Sequence, residues 1–218
     1  MINKEQPVNQ LCSVTLLGNL VATPEIRYLA NPLLAVTEFT LATTHRWQDK
    51  RTKAQKEWTS YHTIKVVGHL VEQVLTQVKK GDIALVQGYL ANHKHDNDSV
   101  IHATHLETFA KGFTHNINQL QCSATINSDI NLVTTASNIP LANFSVCIRH
   151  QAYSELKQTM LNHEITRDVH VWGKQAEQIH EQAAKGKAII LEGRLSYTND
   201  SQKKQLIEAN YLHLLKLR

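Results

Sequence analysis

The densest group of metal-binding side chains in the sequence is a set of four histidines near the middle of the chain. His93 and His95 flank Lys94, and His102 and His105 follow shortly after. Imidazole is the commonest ligand for transition metals, so such a group could hold one. A strand through His102 and His105, however, would place them on opposite faces, and no cysteine or carboxylate cluster completes a tetrahedral set. We therefore expect neither a metal nor another cofactor.

The residue patterns of common catalytic sites are absent. The sequence has no Walker-type phosphate loop, no Gly-x-Ser-x-Gly turn and no His-x-x-x-His pair. Cys12, Cys122 and Cys147 are an odd number without the spacing of a zinc site, which argues against both a zinc ribbon and a disulfide framework. We expect reduced cysteines in strands or in the core, and a protein that is not an enzyme.

Composition and length indicate a globular protein of two domains. The chain has 218 residues, of which 42% are hydrophobic and 19% charged, so it is not mainly disordered. No apolar run approaches the roughly 20 residues of a membrane span, and the polar first residues lack the apolar core of a signal peptide. We expect a cytoplasmic protein. The formal net charge of +4 permits a polyanion as partner.

The chain repeats itself at an offset of 105 to 110 residues. The segment at 9–15 returns at 118–125 with one insertion, and the segments at 68–73 and 80–81 return at an offset of 105. Gly88-Tyr89-Leu90 returns as Gly193-Arg194-Leu195. This period far exceeds that of a solenoid and indicates a duplicated domain. We expect domains at 1–110 and 118–218, joined by a short linker at 111–117.

Each copy has the pattern of three strands, one helix and two strands. The apolar residues Val71, Val74, Leu75 and Val78 follow a helical spacing, and Lys79-Lys80-Gly81 resembles a helix end. Alternating segments predict strands at 11–17, 36–41, 61–67, 83–90 and 100–109 in the first copy. In the second copy we expect strands at 122–126, 144–148, 169–172, 188–195 and 205–212, with a helix at 176–184. This order predicts an all-β protein made of two tandem OB-folds, the five-stranded Greek-key barrels that bind oligonucleotides.

The first copy resembles bacterial single-stranded DNA-binding proteins. The resemblance lies in the opening segment 14–20, in Pro24-Glu25-Ile26-Arg27-Tyr28, and in the segment 39–43 leading to Trp47. The segment 61–68, Lys80-Gly81 and Gly88-Tyr89-Leu90 continue it in order and spacing. It covers about residues 9 to 110, whereas the second copy matches only from about 166 to 195.

The resemblance implies sequence-independent binding of single-stranded DNA, by base stacking on aromatic rings and contacts of basic side chains with phosphates. It assigns stacking positions to Trp47, Tyr61 and Trp172. The candidates for contacts with phosphates, chosen for their charge or imidazole ring, are Arg27, Arg46, Lys50, Arg51, His62, Lys65, Lys80, Lys94, His95, Lys174 and Arg194. Solvated residues of strands and loops are the alternative interpretation of the histidines. Core packing is the alternative role for the three aromatic residues. Trp58 could stack or simply anchor its hairpin.

The resemblance also implies a role in DNA replication, recombination or repair, at the bacterial nucleoid, and a homodimer that presents four OB-folds. The exposed edges of the opening strands are the expected pairing surface. The C-terminus is basic and apolar, so we expect no acidic recruitment tail. The sequence departs from the family pattern at Val67 and His95, where aromatic residues are usual. The main alternative is therefore a replication-restart accessory protein similar to primosomal replication protein N, which acts chiefly through protein contacts. A further alternative is an adaptor that binds no nucleic acid.

Overall fold

A computed structural model describes residues 11–49, 52–92, 99–112, 116–198 and 204–215 of the chain. Within these ranges it contains twelve strands and two short helices. The first half comprises β1 (Cys12–Leu20), β2 (Arg27–Ala30), β3 (Leu33–Gln48), β4 (Gln55–Val67), α1 (His69–Val74), β5 (Ile83–Asn92) and β6 (Ser99–Phe109). The second half comprises β7 (Ile117–Ile126), β8 (Asn131–Thr134), β9 (Pro140–Ser154), β10 (Thr159–Trp172), α2 (Lys174–Gln182), β11 (Ala188–Tyr197) and β12 (Gln205–Leu214).

Five strands of the first half form a closed ring. Strand β1 pairs with β3 and β5, β3 with β4, β5 with β6, and the ring closes through the parallel pair β4–β6. Alternate residues of these strands point inward, so that Leu16, Leu41, Ile64 and Ile101 have no exposed surface. Each such side chain stabilises the fold by about 1.5–3 kcal/mol relative to an exposed one. This is the predicted OB-fold.

The second half repeats the ring with β7, β9, β10, β11 and β12, again closed by a parallel pair, β10–β12. Each helix begins after a glycine with a left-handed φ, Gly68 (76°) and Gly173 (68°), which explains why the repeat retains glycine at both positions. The protein therefore has two tandem OB-folds. Neither α1 nor α2 is long and apolar enough to cross a membrane, and these are the helices of the described residues.

The two barrels are joined by their opening strands. Strands β1 and β7 pair antiparallel, with Val14 opposite Leu120 at the centre, and merge the barrels into one twelve-stranded sheet. Each of these two residues also pairs with a repeated glycine, Gly88 or Gly193. A pseudo-twofold axis therefore passes between Val14 and Leu120. The expectation that these strands pair with another chain is wrong, because their free edges are already paired with each other.

The structure corrects the sequence alignment of the two copies at their opening strands. The pairs Val14–Gly88 and Leu120–Gly193 make Val14 equivalent to Leu120, an offset of 106 rather than 109 or 110. The similar sequences at 9–15 and 118–125 are therefore shifted by three or four residues from the alignment that the structure gives. Between the strands β3 to β5 of the first half and β9 to β11 of the second half the offset is 105. For example, the pair Phe39–Ile64 is equivalent to the pair Phe144–Val169.

Other differences concern short elements. The four-residue strands β2 and β8 were not predicted, because such segments are too short to show an alternating pattern. Helix α1 ends at Val74, well before the predicted end at Gly81. Gly81 instead donates its backbone N–H to the Leu20 carbonyl (2.9 Å), so it anchors the turn into β5. The proposed linker lies between the end of β6 and the start of β7, and residues 113–115 of it are outside the described ranges.

Candidate nucleic-acid interface

A groove of about 1200 Å³ lies across the junction of the two halves, and all three tryptophans of the chain line it. Trp47 and Trp58 come from the first half and Trp172 from the second. Their exposed fractions are 40%, 41% and 44%, so each ring has both a packed part and a part open to solvent. A large aromatic side chain left this exposed in a concave surface is available for a ligand.

The β3–β4 hairpin positions the two tryptophans of the first half. Its register places His45 opposite Trp58, and the His45 ring stacks on Trp47 with 5.5 Å between centroids. The turn is fixed locally: the Asp49 carboxylate accepts a hydrogen bond from the Thr52 N–H (3.0 Å) and pairs with Lys56 (2.6 Å). The hairpin extends beyond the barrel and carries these rings to the junction.

The second half supplies the opposite wall of the groove. Trp172 is the last residue of β10 and contacts the His170 ring edge-on, at 6.5 Å between centroids. Tyr197 also lines the groove, and its hydroxyl accepts a hydrogen bond from the Gln205 side chain (3.3 Å). The structure thus brings together Trp47 and Trp172, which the sequence resemblance assigned to stacking.

Charge in the groove is nearly balanced. Arg194 lines it, but its guanidinium forms a salt bridge with Glu208, which lines it as well. Burial lowers the pKa of His170, and burial together with Arg194 lowers the pKa of His45, so both imidazoles are neutral at pH 7. Lys174 is exposed at the start of α2, two residues after Trp172. The described lining therefore favours stacking over charge.

His62 does not reach the groove surface, so its predicted contact with DNA is corrected. The side chain has no exposed area, and its Nε2 lies 2.9 Å from the Thr43 hydroxyl. Its Nδ1 lies 3.5 Å from the Tyr197 hydroxyl of the other half. Burial lowers the pKa of His62 to about 4. His62 is thus a neutral residue of the junction between the halves.

Tyr61 is exposed (56%) but lies on the opposite face of β4 from Trp58, and it is not part of the groove lining. The basic candidates outside the groove are mostly paired. Arg27 forms a salt bridge with Glu25, Arg46 with Glu57 and Lys65 with Glu38. Lys80 is exposed in the turn before β5. The remaining candidates, Lys50, Arg51, Lys94 and His95, lie outside the described residues.

Sequence reasoning left Trp58 undecided and missed His45 and Tyr197. The side on which Trp58 lies follows from the register of the β3–β4 hairpin. The alternation of apolar and polar residues in either strand alone does not determine that register. Tyr197 follows the segment predicted as a strand and reaches the groove because β11 extends two residues further. Its position depends on the junction between halves, which no local pattern predicts.

The repeat-related face on the other side of the junction is packed rather than open. The residues equivalent to the His45–Trp58 pair are His150 and His163, whose rings stack at 4.9 Å. They contact Tyr89, which also stacks on His102 at 5.1 Å. We call these four rings, from both halves, the closed face. No three histidine, cysteine or carboxylate side chains converge as metal ligands in the described part of the chain.

Two OB-folds joined along one ladder, with exposed tryptophans gathered in a shared groove, define a tandem OB-fold protein. The chain belongs to the single-strand binding protein family, whose model matches residues 11–115 and 117–212. The match therefore covers both halves, including the divergent second copy.

Solved structures agree on the architecture. The chain is similar to the wild-type single-stranded DNA binding protein from Thermus aquaticus, with a TM-score of 0.77, 20% identity, and coverage of 97% of this chain and 96% of that one. A deletion mutant of the same Thermus aquaticus protein gives a TM-score of 0.79 at 22% identity, covering 96% and 97%. The tandem OB-fold arrangement is therefore shared over at least 96% of each chain.

Proposed function

We propose that this protein binds single-stranded DNA without strong sequence preference, along the groove shared by its two halves, and performs no catalysis. The observation that carries this proposal is the position of Trp47, Trp58 and Trp172, all about 40% exposed, in one groove. Membership of the single-strand binding protein family supports it. Every base has a π face, so stacking on these rings is independent of sequence.

Base stacking supplies most of the proposed affinity for single-stranded DNA. Each stacked base is worth about 1–3 kcal/mol, so three rings can hold a short strand without any base-specific hydrogen bond. Lys174 contributes a phosphate contact beside Trp172, and Arg194 does so only to the extent that its salt bridge with Glu208 yields. The salt dependence is accordingly modest for a protein of this class.

The physiological role that follows is protection of single strands during DNA replication, recombination or repair, at the bacterial nucleoid. Two chains together would offer four OB-folds. The edges of β1 and β7 are consumed within the chain, so we propose that the outward sheet face of the strands at the junction forms the contact. That face carries Gln87 and Gln121, together with the exposed Tyr211 ring and the exposed Ile190 side chain.

The assembly is tested by light scattering of the purified full chain at working concentration. A homodimer predicts twice the chain mass of 24.7 kDa, and it predicts that Ile190→Asp in both chains weakens the dimer by placing a charge in the contact. A protein that runs at monomer mass would overturn the dimer but leave the groove proposal intact.

DNA binding is tested by titrating the full chain with oligo-dT of increasing length while tryptophan fluorescence is followed at two salt concentrations. Because all three tryptophans line the groove, we expect strong quenching, with log affinity falling by about 0.7 per log salt for each phosphate contact. Trp172→Ala should weaken binding about 5-fold to 150-fold, which corresponds to the loss of one stacked base at about 1–3 kcal/mol. Tyr153→Ala is the matched control, because this ring is 52% exposed but not part of the groove.

Absent quenching would contradict the proposal and favour the replication-restart adaptor, which acts through protein contacts. Quenching that Trp172→Ala and Tyr153→Ala weaken equally would contradict the placement of the strand in the groove.

A further inference from the structure

Two of the three cysteines face each other across the ladder that joins the halves. Cys12 in β1 is directly opposite Cys122 in β7. The next pair, Leu11 and Ser123, is joined by a hydrogen bond from the Ser123 N–H to the Leu11 carbonyl (2.9 Å). Hydrogen-bonded and non-hydrogen-bonded pairs alternate along an antiparallel ladder, so Cys12 and Cys122 form a non-hydrogen-bonded pair.

The geometry of such a pair suits a disulfide. Opposed residues of a non-hydrogen-bonded pair have Cα atoms about 4.5 Å apart and side chains on the same face, which lies inside the range of about 4.4–6.8 Å that disulfides span. Cys12 lies two residues from the inward-facing Val14, and Cys122 lies two residues from the inward-facing Leu120, so each cysteine shares the face of that neighbour. Their side chains therefore converge on the inner face of the ladder.

The two thiols differ in their exposure to solvent, so an oxidant reaches Cys12 before Cys122. Cys122 is fully buried, whereas Cys12 is partly exposed and packs against the small cluster of Tyr89, Ala91 and Val100, which includes Tyr89 of the closed face. Burial raises the pKa of both thiols, to about 11 for Cys12, and the proximity of Cys12 raises the pKa of Cys122 further. Cys147 lies in β9 opposite Thr166 and Thr125, so it does not take part in this pair.

We propose that Cys12 and Cys122 form a reversible disulfide that links the two halves of the chain when a disulfide-bearing oxidant is present. The Cys12 thiolate attacks the oxidant and releases one of its thiolates, leaving a mixed disulfide on Cys12. The Cys122 thiolate then attacks the Cys12 sulfur and releases the second thiolate. The protein dithiol loses two electrons and two protons, and the oxidant is reduced to two thiols.

The cross-link lies on one side of the pseudo-twofold axis only. The pair related to it by the axis is Leu16 and Asn118, which contains no thiol. Asn118 lines the groove, whereas neither Cys12 nor Cys122 does. The disulfide therefore fixes the halves beside the closed face and leaves the groove open. It is independent of DNA binding, so either proposal can fail without the other.

The test is oxidation of the full chain with oxidised glutathione at mildly alkaline pH, followed by thiol counting in denaturant and peptide mapping. The thiol count should fall from three to one, with a linked peptide joining residues 12 and 122, a mass loss of two hydrogen atoms, and full reversal by dithiothreitol. In Cys147→Ser the count should fall from two to none. In Cys12→Ser no linked peptide should form.

The Cys147→Ser variant keeps both cysteines of the pair, so it decides the matter even if Cys12→Ser does not fold. The rate of cross-linking should rise with pH towards the Cys12 pKa of about 11, because the thiolate is the nucleophile. Retention of both thiols in Cys147→Ser, glutathione adducts without a linked peptide, or a link to Cys147 in the unaltered protein would each overturn the proposal.

Discussion

At the scale of single residues, His62 couples the two halves through a neutral imidazole. The ring is completely buried between Thr43 and Tyr197, and burial lowers its pKa from 6.5 to about 4. The unfolded chain therefore binds this proton at a higher pH than the folded chain does. The contribution of the neutral His62 to the free energy of unfolding is fully present above about pH 6.5. It is lost as the pH falls towards 4, at about 1.4 kcal/mol per pH unit.

We predict that His62→Gln reduces this loss. Urea unfolding at about pH 7.5 and about pH 5 should show that the drop in the free energy of unfolding is roughly 2 kcal/mol smaller in His62→Gln than in the unaltered protein. His213→Gln, which changes an exposed histidine, should leave the drop unchanged. Equal drops in all three proteins would contradict a neutral buried His62.

Residue-level function was only partly predictable from the sequence. The flanking polar residues and the resemblance identified Trp47 as an exposed ring, and the structure places it in the groove. His62 follows Tyr61 in a strand, and alternation indicates that one of the two is buried without saying which. The second half decides this, because Tyr197 and Asn118 cover the face that carries His62.

At the scale of elements, each barrel contains a bulge next to a repeated glycine. The register of β5 and β6 shifts between Gln87 and Gly88, and that of β11 and β12 shifts between Glu192 and Gly193. A Cβ on Gly88 would lie 2.1 Å from the His102 carbonyl oxygen, and one on Gly193 would lie 2.2 Å from the Glu208 carbonyl oxygen. Backbone atoms of a neighbouring strand cannot move away as a flexible side chain would.

We predict that Gly88→Ala lowers the free energy of unfolding by about 1–3 kcal/mol, because the added methyl group forces the two strands apart. Gly193→Ala should cost a similar amount. The control is Thr63→Ser, an exposed residue of β4 outside the proposed dimer contact, which should change stability by less than about 0.5 kcal/mol. An unchanged urea midpoint for Gly88→Ala would show that the strands do not approach this closely.

The long elements were predictable because their side chains alternate or follow a helical spacing over many residues. Strands β5 and β6 were predicted to within two residues of their observed ends. The prediction for helix α1 was too long. Leu75 and Val78 continue the apolar spacing of the helix and are buried, but the helix ends at Val74. Apolar spacing reports burial, and it does not by itself report where the helical hydrogen bonds end.

At the scale of the whole molecule, the pseudo-twofold axis relates two faces that have diverged. On one side, Trp58 and Arg194 line an open groove, and on the other their equivalents His163 and Tyr89 are packed together. The sequence predicted two copies of one domain but could not show this asymmetry. The antiparallel pairing of β1 with β7, a contact between distant parts of the chain, creates the two faces, and the different residues at equivalent positions leave one open and the other packed.

In the proposed function, one DNA strand crosses both halves of the protein through the groove. The most direct measurement uses three variants of the full chain, each with a single tryptophan left and the other two replaced by phenylalanine, titrated with oligo-dT. We expect that Trp47, Trp58 and Trp172 are each quenched when the oligonucleotide is added, because they line one groove. Quenching of Trp47 and Trp58 without any change at Trp172 would contradict it, since the strand would then contact the first half only.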